Sequence, residues 1–215
     1  MKISPESATH LCNDVIQTFL RWRPLRAALQ SGGLEAKCRG QFANAIESWL
    51  SETENSELIV LPEYRNEGSI DFALIDPLSV GRPQLSIDML IEVKFNYASQ
   101  ANGADGGEVG NQLSRGIEQA LQYRIDARRP HPPAPVMSDA YVLHLVAAPV
   151  ADIVHASPRD TGWIYFNQPD LTPAQNRFAS LHLNNGWRVL GSAQSGCIPP
   201  RKPLLYCVLL GPPLN

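Results

Sequence analysis

The run Leu90-Ile91-Glu92-Val93-Lys94-Phe95 constrains this chain more than any other segment. An acid and a lysine, two residues apart, interrupt an otherwise apolar stretch. Upstream, Asp71 interrupts a second one, Ser69-Ile70-Asp71-Phe72-Ala73-Leu74-Ile75. In a strand, residues i and i+2 share a face. Glu92 and Lys94 are therefore expected side by side, with Ile91, Val93 and Phe95 pointing the other way. Charges withdrawn from water are costly unless paired, hydrogen-bonded or bound to a metal, so this strand is the first place to look for chemistry.

The elements around it follow from periodicity. From Ser4 to Leu29 the apolar positions Leu11, Val15, Phe19 and Trp22 recur at helical spacing, with Ser4-Pro5-Glu6 as a start, Pro24 as a break and Gly32-Gly33 as an end. A second helix is expected over residues 34–51, with Leu34, Cys38, Phe42, Ile46 and Leu50 on one stripe and Glu47 at its edge. The period then changes. Strands are expected over 58–61, 69–75 and 85–95, separated by turn signals at 66–68 and 77–83, which favours an antiparallel meander. Residues 98–111, rich in Gly, Ala, Asn and Asp, read as a loop. A helix is expected over 108–128 on Val109, Leu113, Ile117, Leu121 and Ile125, stopped by Pro130 to Pro135. The nearly continuous apolar run Ala140 to Ala147 reads as a central strand. Further strands are expected at 163–166, 187–190 and 204–210, with a short helix at 173–182. The fold class is α/β, a mixed central sheet with a three-stranded antiparallel meander and further strands, flanked by helices. One domain spans 1–215, with a core over 34–147 and accessory elements at 1–33 and 148–215.

Two carboxylates and a lysine suit one kind of chemistry. Asp and Glu oxygens are hard ligands for Mg²⁺ or Mn²⁺, and the backbone carbonyl of Val93 is a further candidate ligand. Such an ion polarises a phosphodiester oxygen and activates water. A lysine beside it orients the water or stabilises charge on the phosphorane. An antiparallel neighbour brings Asp71 next to Glu92.

The pattern Asp71…Glu92-Val93-Lys94 resembles the PD-(D/E)xK nuclease superfamily, whose restriction-endonuclease-like fold has an αβββαβ core in the element order read above. The resemblance covers residues 34–147 and departs from the family pattern at Ile70, which stands where proline often precedes the aspartate. It implies a divalent-metal-dependent nuclease, with Asp71, Glu92 and Lys94 catalytic. Family members often carry an extra acid on the helix before the meander; Glu47 occupies a similar place, with Glu35 as the lesser candidate. Gln119-Ala120-Leu121-Gln122-Tyr123 is similar to the Q-x-x-x-Y helix motif of RecB-type nucleases. Gln119 and Tyr123, four residues apart on one helix face, are implied to support substrate or site.

Other polar residues are weaker candidates. Asp88 shares strand parity with Glu92 but lies about 13 Å along the strand. Glu63 competes with Asp71 as the upstream acid but adjoins Pro62. His144 and His182 each lie between leucines and read as core or surface histidines. Arg115, Arg124, Arg128 and Arg129 line the helix after the motif. Arg21, Arg23, Arg26, Lys37 and Arg39 form an earlier basic group. Both groups read either as solvated faces or as phosphate-tracking flanks. The Glu–Lys pair has its own bland reading, a solvent-facing pair on an edge strand.

Composition bounds the rest. A net charge of -3 gives no global attraction to polyanions, and the stretch from Glu57 to Lys94 holds seven acids and three bases, so metal ions would take part in substrate binding. The 4 cysteines are scattered without a C-x-x-C, which reads as buried free thiols in a reducing compartment. There is no P-loop, nucleophile-elbow or H-E-x-x-H motif. No signal peptide or membrane-length apolar run is apparent, so a cytoplasmic location is expected, and export as a toxin without a cleavable signal is compatible with the same sequence. The expected partner is DNA, with no membrane association; a homodimer would supply the second active site that double-strand cutting needs. The alternative function is a catalytically silent module of the same fold that binds nucleic acid or a protein.

Overall fold

A computed structural model describes residues 3–22, 34–53, 56–65, 69–82, 86–97, 115–122, 136–148, 187–195 and 204–212. Helix α1 spans Pro5–Arg21. The Ser7 amide donates to the Ser4 hydroxyl at 3.1 Å, which caps one of the unpaired amides of the first turn. α1 closes at Trp22, whose amide bonds the Phe19 carbonyl, two residues before the break expected at Pro24, and the rest of the expected stretch to Leu29 lies outside the described residues. Helix α2 spans Leu34–Ser51 as expected. Its buried stripe is broader than the four-residue repeat, because Ala45 and Trp49 join Cys38, Phe42, Ile46 and Leu50.

The meander follows as β1 (Ile59–Arg65), β2 (Ser69–Ile75) and β3 (Ser86–Tyr97). Helix α3 covers residues 115–122. Then come β4 (Val136–Ala148), β5 (Arg188–Gln194) and β6 (Leu204–Gly211). Among the described residues the sheet is six-stranded and mixed, in the order β1-β2-β3-β4-β6-β5. β1, β2 and β3 pair antiparallel, β3 and β4 parallel, and β6 runs antiparallel to both β4 and β5. The parallel step needs a crossover, and α3 lies within it.

Alternation along the strands sends side chains to two cores. Met89, Ile91 and Val93 of β3, Tyr141, Leu143 and Leu145 of β4, and Leu205, Cys207 and Leu209 of β6 pack with α1 and α2. Leu90, Val142, Val146, Tyr206 and Leu210 pack with Ile117 and Ala120 of α3 and with Trp187. The sheet is thus a middle layer between helices, and both β3 and β4 are buried on both faces.

The two helices on the first face are tied together and pressed close. The Trp49 indole donates to the Ser7 carbonyl at 3.1 Å. On β5, a Cβ at Gly191 would stand 2.5 Å from the carbonyl carbon of Ala8, so only glycine lets α1 cross here. Cys12, Cys38 and Cys207 are free and buried, and burial pushes the Cys38 thiol up to about 12. Cys197, the turn at 66–68, the loop at 98–111, the prolines at 130–135, the expected strand at 163–166 and the expected helix at 173–182 lie outside the described residues. Among the described residues no helix is long and apolar enough to cross a membrane.

Candidate active site

Asp71 on β2 and the Glu92–Lys94 pair on β3 lie where the β2–β3 ladder opens. The last paired residues in that direction are Phe72 and Ile91. One step further, the Val93 amide donates to Asp71 Oδ2 at 3.0 Å instead of to a strand carbonyl. An aspartate side chain thus closes the fork, which fixes its carboxylate between two diverging strands. Both charges of the β3 motif share the α3 face of the sheet, as their spacing requires. Lys94 Nζ donates to Glu92 Oε1 at 2.7 Å, with side-chain exposures of 7% and 3%. The reading of a solvent-facing edge pair is therefore overturned: β3 is interior and the pair is buried.

Helix α3 is shaped to receive this pair. A Cβ at Gly116 would lie 3.3 Å from both Cγ and Cε of Lys94 and 3.2 Å from Val142 Cγ1. The helix backbone therefore rests on the lysine stem. Beside it, a pocket of about 430 Å³ is lined by Lys94, Arg115, Glu118 and Gln119. Arg115 and Gln119 are exposed on α3. His144 stands in register with Lys94 across the β3–β4 ladder and is fully buried, a core histidine as its leucine neighbours suggested, although one set beside the lysine. Tyr123 and Arg124 lie outside the described residues.

The earlier helix contributes a residue of the opposite sign to the one expected. Arg39 Nη2 lies 3.1 Å from Asp71 Oδ1, and Arg39 Nη1 also binds Glu63 Oε1. Glu47 is exposed and sits eight residues beyond Arg39, about 12 Å further along the helix axis. α2 therefore brings an arginine, not Glu47, to the aspartate. Glu35 lies one turn before Arg39; its side chain is outside the described residues. Asp88 is half-buried in β3, and Asp76 caps the short turn Pro77–Ser79, accepting from the Leu78 amide at 2.8 Å.

The donor set fits a small divalent cation in kind: two carboxylates on adjacent strands and a peptide carbonyl between Glu92 and Lys94. Among the described residues, no cluster of three or more His, Cys, Asp or Glu side chains forms a metal cage. Asp71 and Glu92 are each already held by a cation, Arg39 and Lys94 respectively. Two signals had no counterpart in the sequence reading: Arg39, grouped there with surface bases, and Gly116, whose role depends on a helix lying across the sheet. No protein family, characterised protein or solved structure matches the chain.

Proposed function

We propose that this protein is a divalent-metal-dependent nuclease of the PD-(D/E)xK type, with a restriction-endonuclease-like core and DNA as its preferred substrate. The observation that supports this reading is the burial of the Glu92–Lys94 pair on β3 beside a buried Asp71 that is bonded to the Val93 amide between them. A surface ion pair needs no such burial, and an unused pair so placed would be a net burden on the fold.

Asp71, Glu92 and the Val93 carbonyl hold Mg²⁺ or Mn²⁺ in this reading; the ion supplies Lewis-acid polarisation of the phosphodiester and activation of water at neutral pH. Asp71 keeps one oxygen on the Val93 amide, so its carboxylate is oriented before any ligand arrives. Lys94 stands beside Glu92 and lines the pocket, where its ammonium would stabilise charge developing on the phosphorus oxygens. Arg115 and Gln119 line the same pocket and contact the strand, Arg115 through phosphate and Gln119 through polar sugar or base groups. The net charge of -3 makes these local contacts, with the metal, the source of affinity.

A second reading is favoured by one observation: both acids are already neutralised by protein cations. In that reading the chain is a silent module of the same fold that binds nucleic acid or a protein through the pocket. Plasmid and single-stranded DNA, incubated with Mg²⁺, Mn²⁺ or EDTA, separate the two. The enzyme cuts in a metal-dependent way, and Asp71→Asn and Lys94→Gln lose about 100-fold or more. Asparagine still accepts the Val93 amide, and melting curves verify folding. Metal-independent DNA binding without cleavage, unchanged in Asp71→Asn, would establish the silent module instead.

A further inference from the structure

We infer that Arg39 is a movable latch on Asp71, parked between two acids and passed to Glu63 when a divalent cation takes the aspartate. This rests on the metal-site reading above. Three observations carry it. First, Glu63 stands opposite Asp71 on neighbouring antiparallel strands, and the ladder skips this one pair while Pro62↔Phe72 and Tyr64↔Ile70 flank it. Two like charges placed so repel, and the Arg39 guanidinium bridges both. Second, Glu63 is the one described non-glycine residue with positive φ, at 51°. Left-handed backbone is unfavourable for a residue that carries a Cβ, and here it accompanies the bond from the carboxylate to Arg39. Third, Arg39 Nε is buried without a hydrogen-bond partner among the described residues. The bridging pose uses one Nη for each acid and leaves Nε idle; a guanidinium released from Asp71 can fork onto Glu63 through Nε and Nη.

Arg39 is thus a positioning residue with two seats. In one it neutralises Asp71 and occupies the oxygen that a cation needs. In the other it is retained by Glu63, close enough to return. Glu63 favours the second seat because it is Arg39's only anchor there.

Calorimetric titration with Mn²⁺ alone tests the latch, using the intact chain. Arg39→Gln removes the competitor and tightens Mn²⁺ by roughly three- to tenfold, the scale of a part-buried ion pair. Arg39→Lys keeps the charge and stays near the wild-type affinity. Glu63→Gln weakens Mn²⁺ by a similar factor, because Arg39 is left with Asp71 as its sole partner. The two effects have opposite sign, whereas a merely structural bridge, once broken at either end, loosens the site in both variants. In the double variant the Glu63→Gln effect disappears, while independent charge effects would add. Unchanged or weaker Mn²⁺ binding in Arg39→Gln, or additivity, overturns the latch. If Arg39→Gln does not fold, Arg39→Met, which keeps the packing of the stem, replaces it under the same criterion, and unchanged or tighter Mn²⁺ binding in Glu63→Gln also overturns the latch. Asp71→Asn separates the two levels: Mn²⁺ affinity lost in Asp71→Asn but indifferent to residues 39 and 63 sinks only the latch. Absence of Mn²⁺ binding in every variant sinks the metal site and the latch with it.

Discussion

Gly116 sets how closely α3 can approach Lys94. Gly116→Ala gains about 1 kcal/mol of helix propensity but crowds the lysine stem, so stability stays within about 1 kcal/mol of wild type. Gly116→Leu cannot be absorbed that way; it is expected to cost about 1–3 kcal/mol in chemical denaturation and to displace Lys94 from Glu92. Asp14 offers a second test. Burial, against the weaker opposing pull of His10, raises its carboxyl above the ordinary aspartate value. A raised acid favours folding while protonated, and that contribution is lost as pH rises through the folded value. Asp14→Asn should therefore be relatively more stable, against wild type, at about pH 7 than at about pH 3, and unfolding midpoints at the two pH values check the sign. At this scale the sequence was legible where chemistry is local. Glu92 and Lys94 share a face by strand period alone, and Asp71 reaches the Val93 amide between them from one antiparallel neighbour. Arg39 was not legible, since its partners lie 24 and 32 positions away and depend on which way β1 bends. Glu47 was misplaced for the same reason: periodicity says which residues share a stripe, not which end of the helix overlies the fork.

Among the elements, α1 and β5 are the pair most sensitive to a single methyl group. Gly191→Ala drives a Cβ into the backbone of Thr9 and Ala8, which cannot yield as a flexible side chain would. The melting temperature should fall by roughly 5–10 °C, while Gly40→Ala, inside helix α2 with open space around it, should raise it slightly and so marks the opposite sign. Helix α2 was readable end to end because its apolar stripe is unbroken. Strand ends were less so. β1 runs four residues past the expected Leu61, because an edge strand tolerates Pro62 where an interior one would not. β4 starts at Val136, ahead of the apolar run, because β3 pairs with it from Ser86 onward. Pairing, not hydropathy, sets that boundary.

At the level of the whole molecule, the C-terminal strands belong to the central sheet. β6 and β5 extend the same sheet beyond β4, and α1 packs over them. Strand order of this kind is set by which faces must be covered, and no local pattern encodes it. Among the described residues, β1 and β5 form the two margins of the sheet. Unprotected margins present rows of amides and carbonyls to any extended chain. The left-handed residue that aims Glu63 at Arg39 also interrupts β1's row, next to a proline that has no amide to offer. The kink therefore protects the molecule against strand addition at the site end of that margin: a second chain seeking to lengthen the sheet there meets a broken template and a carboxylate.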